Sequence, residues 1–176
     1  VTGAARGIGR GCALQLAVEG ADVIFNDLSS SSESESLLAE IRQLGRSAEF
    51  VAGDIFELDS CRDVVSRALE VGGRIDILVS NPAFSRRGEF LQLSPEVFQQ
   101  VLQGTLTSGF YVAQLVAKHM VERGGHGKIV FISSVHARVP YIHSAGYNAA
   151  KAGLNHMAFT IAAELLPHRI NVNVIE

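Results

Sequence analysis

Short apolar runs rich in β-branched residues alternate with longer segments of helical periodicity throughout the chain. Five runs are predicted as strands: Ala21–Asp27, Ser47–Asp54, Ile75–Asn81, Gly127–Ser134 and Arg169–Ile175. Five segments are predicted as helices: Gly9–Glu19, Glu33–Leu44, Leu58–Val71, Pro95–Glu122 and Ala145–Leu165. Val1 is expected to be the last residue of an earlier strand. The alternation leaves few folds open, because strands separated by helices pair in parallel.

The cores of the predicted strands are almost entirely apolar, as expected of strands whose two faces are both covered. Strands that alternate with helices form a parallel sheet through right-handed crossovers. The pattern therefore predicts an α/β fold, a doubly wound parallel sheet with helices on both faces. Residues 1–176 are expected to form one such domain. Because the chain opens directly on a glycine loop and stops on an apolar run, we expect it to be truncated at both ends.

The composition argues against several classes of protein. A net charge of -3 disfavours nucleic-acid binding, which usually needs a basic patch. No run of about 18 apolar residues exists, so no membrane-spanning segment is expected. The cysteines, Cys12 and Cys61, fall in separate predicted helices and are expected to be buried thiols of a reducing compartment. The two thiols therefore favour a cytoplasmic protein. The histidines lack the spacing of metal ligands, so no metal site is expected.

The first ten residues, VTGAARGIGR, place three glycines between the end of a strand and the start of a helix. Gly3, Gly7 and Gly9 lack a side chain, which lets the backbone approach a ligand closely. The start of the following helix offers free N–H groups to a pyrophosphate. Arg6 lies within the loop and is a candidate for neutralising a phosphate, the alternative being an exposed loop charge. This segment predicts a dinucleotide-binding loop.

An acidic residue, Asp27, ends the next predicted strand at about the spacing from Gly9 that a ribose contact requires. A carboxylate there accepts hydrogen bonds from both ribose hydroxyls and repels a 2′-phosphate. Leu28, the next residue, supplies no compensating base. The sequence therefore favours NAD over NADP, although Arg6 keeps NADP open.

Tyr147 and Lys151 stand four residues apart in the stretch SAGYNAAKAG and share one face of a predicted helix. An ammonium one turn from a phenol favours the phenolate and lowers the tyrosine pKa, which a tyrosine acting as acid or base near neutral pH requires. Such a pair alone is usually an ordinary surface pair. Two features favour a site here: the neighbouring residues are small, and Ser134 lies at the carboxyl edge of the sheet, where doubly wound sheets bind ligands.

Six motifs occur together in a fixed order: TGAARGIG, the acid at Asp27, GD at Gly53–Asp54, LVSN, ISS and YNAAK. In this order and spacing the chain resembles the classical short-chain dehydrogenase/reductase family over essentially all of its length. The resemblance implies a Rossmann-type fold. It also implies an NAD(P)-dependent oxidoreductase that interconverts a secondary alcohol and a ketone by hydride transfer.

The resemblance implies a role for each matched position. Tyr147 would exchange a proton with the substrate oxygen, and Ser134 would hydrogen-bond that oxygen. Lys151 would hold the nicotinamide ribose and depress the tyrosine pKa. Together with Arg6, the expected cofactor-binding residues are Gly3, Gly7, Ile8, Gly9, Asp27, Asp54, Ile55, Asn81, Tyr147 and Lys151.

Two positions depart from the pattern of the family. After the fourth strand the family usually has Asn-Asn-Ala-Gly, whereas this chain keeps Asn81 and follows it with Pro82, which lacks an N–H. Thr105 stands where the family has an asparagine that helps to hold a proton-relay water. These departures leave an alternative open, a dinucleotide-binding protein with weak or no catalysis that acts as a sensor or an oligomer partner.

The expected partners follow from the same reasoning. The predicted helices Pro95–Glu122 and Ala145–Leu165 carry more apolar surface than a sheet face needs, and in resembling proteins they form a homodimer or homotetramer interface. Plain core is the alternative. The substrate is expected to be a small-molecule alcohol or ketone. His136, Arg138 and His143 are each candidates for contact with it, the alternative being that they are solvent-exposed loop residues. The family usually continues into a substrate-covering lobe after the point where this chain ends.

Overall fold

A computed structural model describes all residues from 1 to 176 and contains every predicted strand and helix, except that the predicted helix Pro95–Glu122 is divided in two. The strands are β1 Val23–Asp27, β2 Ala48–Ala52, β3 Ile77–Ser80, β4 Gly127–Ile132 and β5 Ile170–Ile175. The α-helices are α1 Gly7–Val18, α2 Ser32–Gln43, α3 Leu58–Gly72, α4 Pro95–Leu102, α5 Ser108–Glu122 and α6 Ala145–Leu165. Apart from the segment that spans α4 and α5, the predicted boundaries lie within two residues of these.

The strands are all parallel, and the first four residues join two groups of strands into one layer. β1 pairs with β2, and β4 lies between β3 and β5. On one side of the first residues, Asn26 N donates to Val1 O at 2.9 Å and Ala4 N donates to Asn26 O at 3.0 Å. On the other side, Thr2 N donates to Val79 O at 3.0 Å. The order across the layer is therefore β2-β1-(1–4)-β3-β4-β5, and the winding direction reverses at the residues that precede the glycine loop.

The sheet separates two hydrophobic cores, which confirms that helices cover both faces. The core under α1 and α2 comprises Ala4, Ala13, Ala17, Val23, Phe25, Leu37, Ile41 and Ala48. The core on the other face is larger and packs α3, α5 and α6 against β3, β4 and β5 around the fully buried Phe131 and Met120. Burial of these large side chains is the main stabilising contribution, at about 25 cal/mol per Å² of apolar surface.

The segment between Pro95 and Glu122 is not one continuous helix, contrary to the sequence prediction. A π-helical turn, Gln103–Thr107, separates α4 from α5, and Ser108 N donates to Gln103 O across five residues. A π-turn contains one residue more than an α-turn and is held only where other contacts compensate. Those contacts come from loops outside the helix, with which Gln103 and Thr105 form hydrogen bonds.

An apolar cleft of about 490 Å³ lies between the amino-terminal halves of β1 and β3. Val1 reaches it, and its nitrogen donates to Ile24 O at 2.9 Å. The cleft is at the opposite end of the strands from the glycine loop and is separate from the candidate site.

The remaining features concern cysteines, metals and membranes. Cys61 is buried and Cys12 half-buried, and neither forms a disulfide. Burial raises the pKa of the Cys61 thiol to about 11, which keeps it protonated near neutral pH. The structure contains no group of three His, Cys, Asp or Glu side chains placed to bind a metal. None of the helices combines the length and the apolar character required to cross a bilayer.

Candidate active site

The predicted site residues converge at the carboxyl edge of the sheet. Asp27 ends β1, and Asp54, Asn81 and Ser134 each lie one or two residues beyond a strand. Because the strands are parallel, these ends meet at the same edge, around the point where the winding direction reverses. A doubly wound sheet opens a crevice there between loops that leave in opposite directions.

The glycine loop between the first residues and α1 needs glycine for two different reasons. Gly3 and Gly7 have positive φ values of 59° and 61°, a conformation that side chains disfavour. No atom lies within 4 Å of the position that a Cβ of Gly7 would occupy, so the loop is open on that side. Gly9 is closely packed, because its Cβ would collide with Gly3 O and lie 2.7 Å from Asn81 Nδ2.

The start of α1 fits an anionic group. Its N-cap residue, Arg6, makes no side-chain cap, and the first turn contains no acidic residue. The first N–H groups of the helix are therefore free to bind the pyrophosphate of a dinucleotide. Arg6, Gly7 and Ile8 are exposed at this point. The open loop and the uncapped helix start leave room for an anionic ligand, and coenzyme binding at this loop stays a prediction.

Asp27 is held in place by backbone groups and has no basic partner. Its Oδ2 accepts a hydrogen bond from Ala5 N, and its Oδ1 accepts one from Leu28 N, each at 2.9 Å. None of the seven ion pairs involves Asp27. The side chain therefore presents an oriented carboxylate beside the glycine loop, with lone pairs left on each oxygen.

Asn26 supports the same edge, and sequence reasoning missed it. The residue is only 5% exposed, and its amide donates to Val51 O at 2.9 Å and Gly53 O at 3.0 Å. These bonds tie the end of β1 to the end of β2 and so place Asp54 near Asp27. The available signal was a polar residue inside an apolar predicted strand, since such a residue must find buried partners.

Asp54 and Ile55, which are both expected to bind the cofactor, differ in their surroundings. Asp54 is half-buried, and its Oδ1 accepts a hydrogen bond from Phe56 N at 2.9 Å. Ile55 is only 5% exposed, and its side chain belongs to the larger core. Only the backbone of Ile55 is therefore available for a coenzyme contact. The position of Ile55 in the motif does not by itself reveal that its side chain is buried.

Asn81 connects the third loop of this edge to the glycine loop despite the proline that follows it. Its backbone N–H donates to Thr2 Oγ1 at 3.1 Å, and its side-chain amide donates to Gly3 O at 3.0 Å. Pro82 is buried and interrupts neither bond. The altered motif therefore still fixes the geometry of the glycine loop.

The structure brings Tyr147 and Lys151 together on α6. The Lys151 side chain is 1% exposed, and its Nζ lies 5.7 Å from the centre of the Tyr147 ring. The ammonium donates to Ile132 O at 2.7 Å, at the end of β4. Burial lowers the pKa of Lys151 to about 8, so the side chain is still mostly charged near neutral pH. Tyr147 is half-buried, which leaves one side open to a substrate.

Ser134 begins a short turn that also places His136 beside Tyr147. The Ser134 hydroxyl accepts a hydrogen bond from His136 N at 3.2 Å. The His136 and Tyr147 rings are 6.3 Å apart and meet edge to face. Of the three polar residues considered for substrate contact on this loop, His136 is the one next to Tyr147. Arg138 forms an ion pair with Glu176 at 2.8 Å.

Aromatic and cationic side chains form the rim in front of Tyr147. His136 packs against Tyr141 at 5.0 Å, and the guanidinium of Arg87 lies over the Tyr141 ring at 4.9 Å. Gly88 N donates to His143 O at 2.9 Å, which joins the two rim loops. The surface beside Tyr147 therefore combines aromatic area with positive charge.

Replacing Lys151 by methionine should change how stability depends on pH. The pKa of about 8 in the folded chain lies below the ordinary 10.5, so folding disfavours the charged form. The free-energy cost of burying the charged side chain is complete below about pH 8, and it is relieved as the pH rises toward 10.5. Relative to Lys151→Met, the wild type should gain roughly 2 kcal/mol in free energy of unfolding between about pH 7 and about pH 9.5. Urea unfolding of both proteins at both pH values measures this change. If wild type and Lys151→Met differed by the same free energy of unfolding at about pH 7 and about pH 9.5, the prediction would be contradicted.

The chain is similar in sequence to known dehydrogenases. The whole chain, residues 1–176, matches the sequence family described as short chain dehydrogenase. An L-rhamnose 1-dehydrogenase (NAD(P)(+)) of Sphingomonas sp. (strain SKA58) is 34% identical over 175 residues, which cover 99% of this chain and 69% of that protein. A 2-dehydro-3-deoxy-D-gluconate 5-dehydrogenase of Escherichia coli (strain K12) is 33% identical, with 99% and 68% covered.

Solved structures are equally similar. Acetoin dehydrogenase from Salmonella typhimurium superposes with a TM-score of 0.94 at 30% identity and covers 99% of this chain and 69% of its own. Carveol dehydrogenase from Mycobacterium avium, solved in complex with NAD, gives a TM-score of 0.93 at 30% identity, with 99% and 67% covered. The fold of the chain is therefore that of known dehydrogenases.

Proposed function

The chain belongs to the short-chain dehydrogenase family, and on this premise we propose that it interconverts a secondary alcohol and a ketone, with NAD preferred over NADP. It is an NAD(P)-dependent oxidoreductase that acts on CH–OH groups. The observation that carries the finer proposal is the buried ammonium of Lys151 beside the ring of Tyr147. A buried charge without a carboxylate partner is costly, and such groups cluster at functional sites.

Tyr147 is proposed to exchange the proton. In the direction of reduction, the carbonyl carbon gains a hydride and the carbonyl oxygen takes the hydroxyl proton of Tyr147, which leaves a phenolate. The Lys151 ammonium stabilises that phenolate, and because Lys151 is withdrawn from water their attraction is weakly screened. Oxidation runs the same transfers in reverse. The nicotinamide coenzyme, when bound, supplies or accepts the hydride.

Ser134 is proposed to orient the substrate oxygen. Its hydroxyl oxygen accepts the N–H of His136, so its own proton is free to be donated to a carbonyl. A donor fixed at the end of β4 brings the carbonyl toward Tyr147 at no cost of ordering a mobile side chain. Turnover of NADH with a panel of sugars, steroids and small ketones tests the reaction class, and no turnover with any member would count against it.

The coenzyme is proposed to lie across the carboxyl edge. Gly3, Gly7, Gly9 and the start of α1 would hold the pyrophosphate. The other proposed contacts are Arg6, Ile8, Asp27, Asp54, Ile55, Asn81, Tyr147 and Lys151. Their fit rests on the positive φ values of the loop, the uncapped helix start and the oriented carboxylate.

The preference for NAD is proposed to depend on Asp27. Its carboxylate lies beside the loop without a basic partner, so a 2′-phosphate there would meet an unneutralised negative charge. The Asp27→Asn variant keeps the shape and removes the charge. We expect the NAD/NADP ratio of kcat/KM to fall by about tenfold or more, since hydrogen bonds to charged groups contribute roughly 1.5–3 kcal/mol.

A matched control for this variant is Asp63→Asn, which removes one exposed carboxylate from α3. The control should leave the coenzyme ratio unchanged. Steady-state rates with NADH and NADPH at equal ionic strength measure the effect. An unchanged ratio in Asp27→Asn would contradict the assignment of Asp27.

The alternative function, dinucleotide binding without catalysis, was motivated by Asn81–Pro82 and by Thr105. Asn81 still bonds to the glycine loop, and no contact of Ser134, Tyr147 or Lys151 depends on Pro82. The geometry therefore favours the oxidoreductase. Tight NAD binding without turnover on any substrate of the panel would instead support the alternative.

The homodimer or homotetramer also stays a prediction. An apolar groove of about 330 Å³ runs between α5 and α6. Phe110 lines it, and Phe159 on α6 is 61% exposed. Exposed aromatic side chains on paired helices are typical of subunit interfaces.

A further inference from the structure

The π-turn Gln103–Thr107 forms hydrogen bonds with two loops outside its own helix. Gln103 Nε2 donates to Phe56 O in the loop after β2. Thr105 Oγ1 accepts a hydrogen bond from Phe84 N at 2.9 Å and donates one to Phe84 O at 2.7 Å, in the loop after β3. One short turn therefore holds the backbone of two loops that are far apart in sequence.

Thr105 is buried and holds the backbone of Phe84 by two hydrogen bonds, which together are called the clamp. It is 1% exposed, and its single hydroxyl satisfies both backbone polar groups of Phe84. Buried N–H and C=O groups without partners are strongly disfavoured, so the hydroxyl has a defined task. Gly104 allows the close approach, because a Cβ there would lie 2.6 Å from Phe84 Cβ and 2.8 Å from the Phe56 ring.

Both clamped loops carry proposed coenzyme residues. Phe56 N donates to Asp54 Oδ1 at 2.9 Å, so the position of Phe56 bears on Asp54. Phe84 lies three residues after Asn81, which bonds to Gly3 O at 3.0 Å. A continuous path of hydrogen bonds and short backbone segments therefore leads from the π-turn to the glycine loop.

We infer that the π-turn presets the floor of the coenzyme site, with Thr105 as a positioning residue for the loop 81–84 and Gln103 as one for the loop 54–56. This inference rests on the proposed function, because it assigns the two loops to coenzyme binding. The clamp needs one donor and one acceptor, and the hydroxyl of Thr105 supplies both.

Two substitutions at Thr105 separate the clamp from simple packing. Thr105→Val keeps the branched shape and leaves both polar groups of Phe84 unpaired, whereas Thr105→Ser keeps both hydrogen bonds and loses only a methyl group. In the coenzyme-free protein, hydrogen exchange of the Phe84 amide should accelerate about tenfold or more in Thr105→Val and little in Thr105→Ser.

Coenzyme affinity is the second measurement. Calorimetry with NADH should give a Kd about tenfold weaker for Thr105→Val and within about threefold of wild type for Thr105→Ser. The KM for coenzyme should rise with the Kd while kcat changes less, since the clamp touches no reacting atom. Gln103→Leu, which removes the hydrogen bond to Phe56, should also weaken the binding of NADH. This variant replaces Thr105→Val in the test if Thr105→Val does not fold.

The outcomes distinguish the clamp from the proposed function. Equal exchange of Phe84 in the valine and serine variants overturns the clamp. Faster exchange in Thr105→Val with an unchanged Kd for NADH overturns its role in coenzyme binding. A wild-type protein that binds neither NADH nor NADPH overturns the proposed function instead, and the exchange comparison still decides whether Thr105 holds the loop.

Discussion

Replacing Tyr147 by phenylalanine is expected to lower kcat by about 10²–10⁴-fold, the usual contribution of a positioned general acid or base. The substitution removes the hydroxyl that exchanges the proton. It keeps the ring that packs near Lys151 and His136, so the fold should be unaffected, and among the proposed coenzyme contacts only the Tyr147 hydroxyl is lost. The Kd for NADH should therefore stay within about threefold of wild type.

The measurement is NADH absorbance with whichever alcohol or ketone of the panel the wild type turns over. Tyr111→Phe is a matched control, because Tyr111 lies on α5, is packed against the core and has Phe110 as its aromatic neighbour. The control should be as active as wild type. Turnover by Tyr147→Phe at the wild-type rate would show that the proton moves by another route.

Replacing Gly9 by alanine is expected to abolish tight coenzyme binding, with a loss of about 100-fold or more in affinity for NADH. The new methyl group would collide with Gly3 O and lie 2.7 Å from Asn81 Nδ2, so the loop must move or its bond to Asn81 must break. Overpacking of this kind costs typically about 1–3 kcal/mol, and thermal stability should fall with it.

Gly11→Ala provides the control on the same helix. Gly11 is exposed and has no atom within 4 Å of the position of a new Cβ. Alanine there should raise the free energy of unfolding by up to about 1 kcal/mol, because glycine is a poor helix former. Calorimetry and thermal unfolding compare the two variants. Wild-type affinity in Gly9→Ala would mean that the loop does not depend on its contact with Asn81.

The fold was largely predictable because its determinants are local. Apolar runs and helical periodicity are properties of neighbouring residues, so the strands and most helix ends appear within two residues of their predicted positions. The π-turn was not predictable in this way. Gln103–Thr107 contains no proline that would mark an interruption, and the π-turn is held by Phe56 and Phe84, which lie in other loops.

The candidate site was likewise predictable where it depends on local spacing and not where it depends on distant contacts. Tyr147 and Lys151 share a helix face by their spacing alone, and the structure brings them together. Asn26 was missed because its partners are backbone carbonyls of another strand, which no spacing encodes. Ile55 was assigned by its position in a motif, whereas the depth of its side chain depends on packing between distant elements.

The hydrogen bond between Lys151 and Ile132 has a consequence for proton linkage. An ammonium has three hydrogens, and this one gives a single hydrogen to a carbonyl in the folded chain. Ligand hydroxyl oxygens that reached the other two would favour the charged form and raise the pKa from about 8. Occupancy of the site by such a ligand is then coupled to uptake of a proton from solution, and by reciprocity mild acidification tightens the binding.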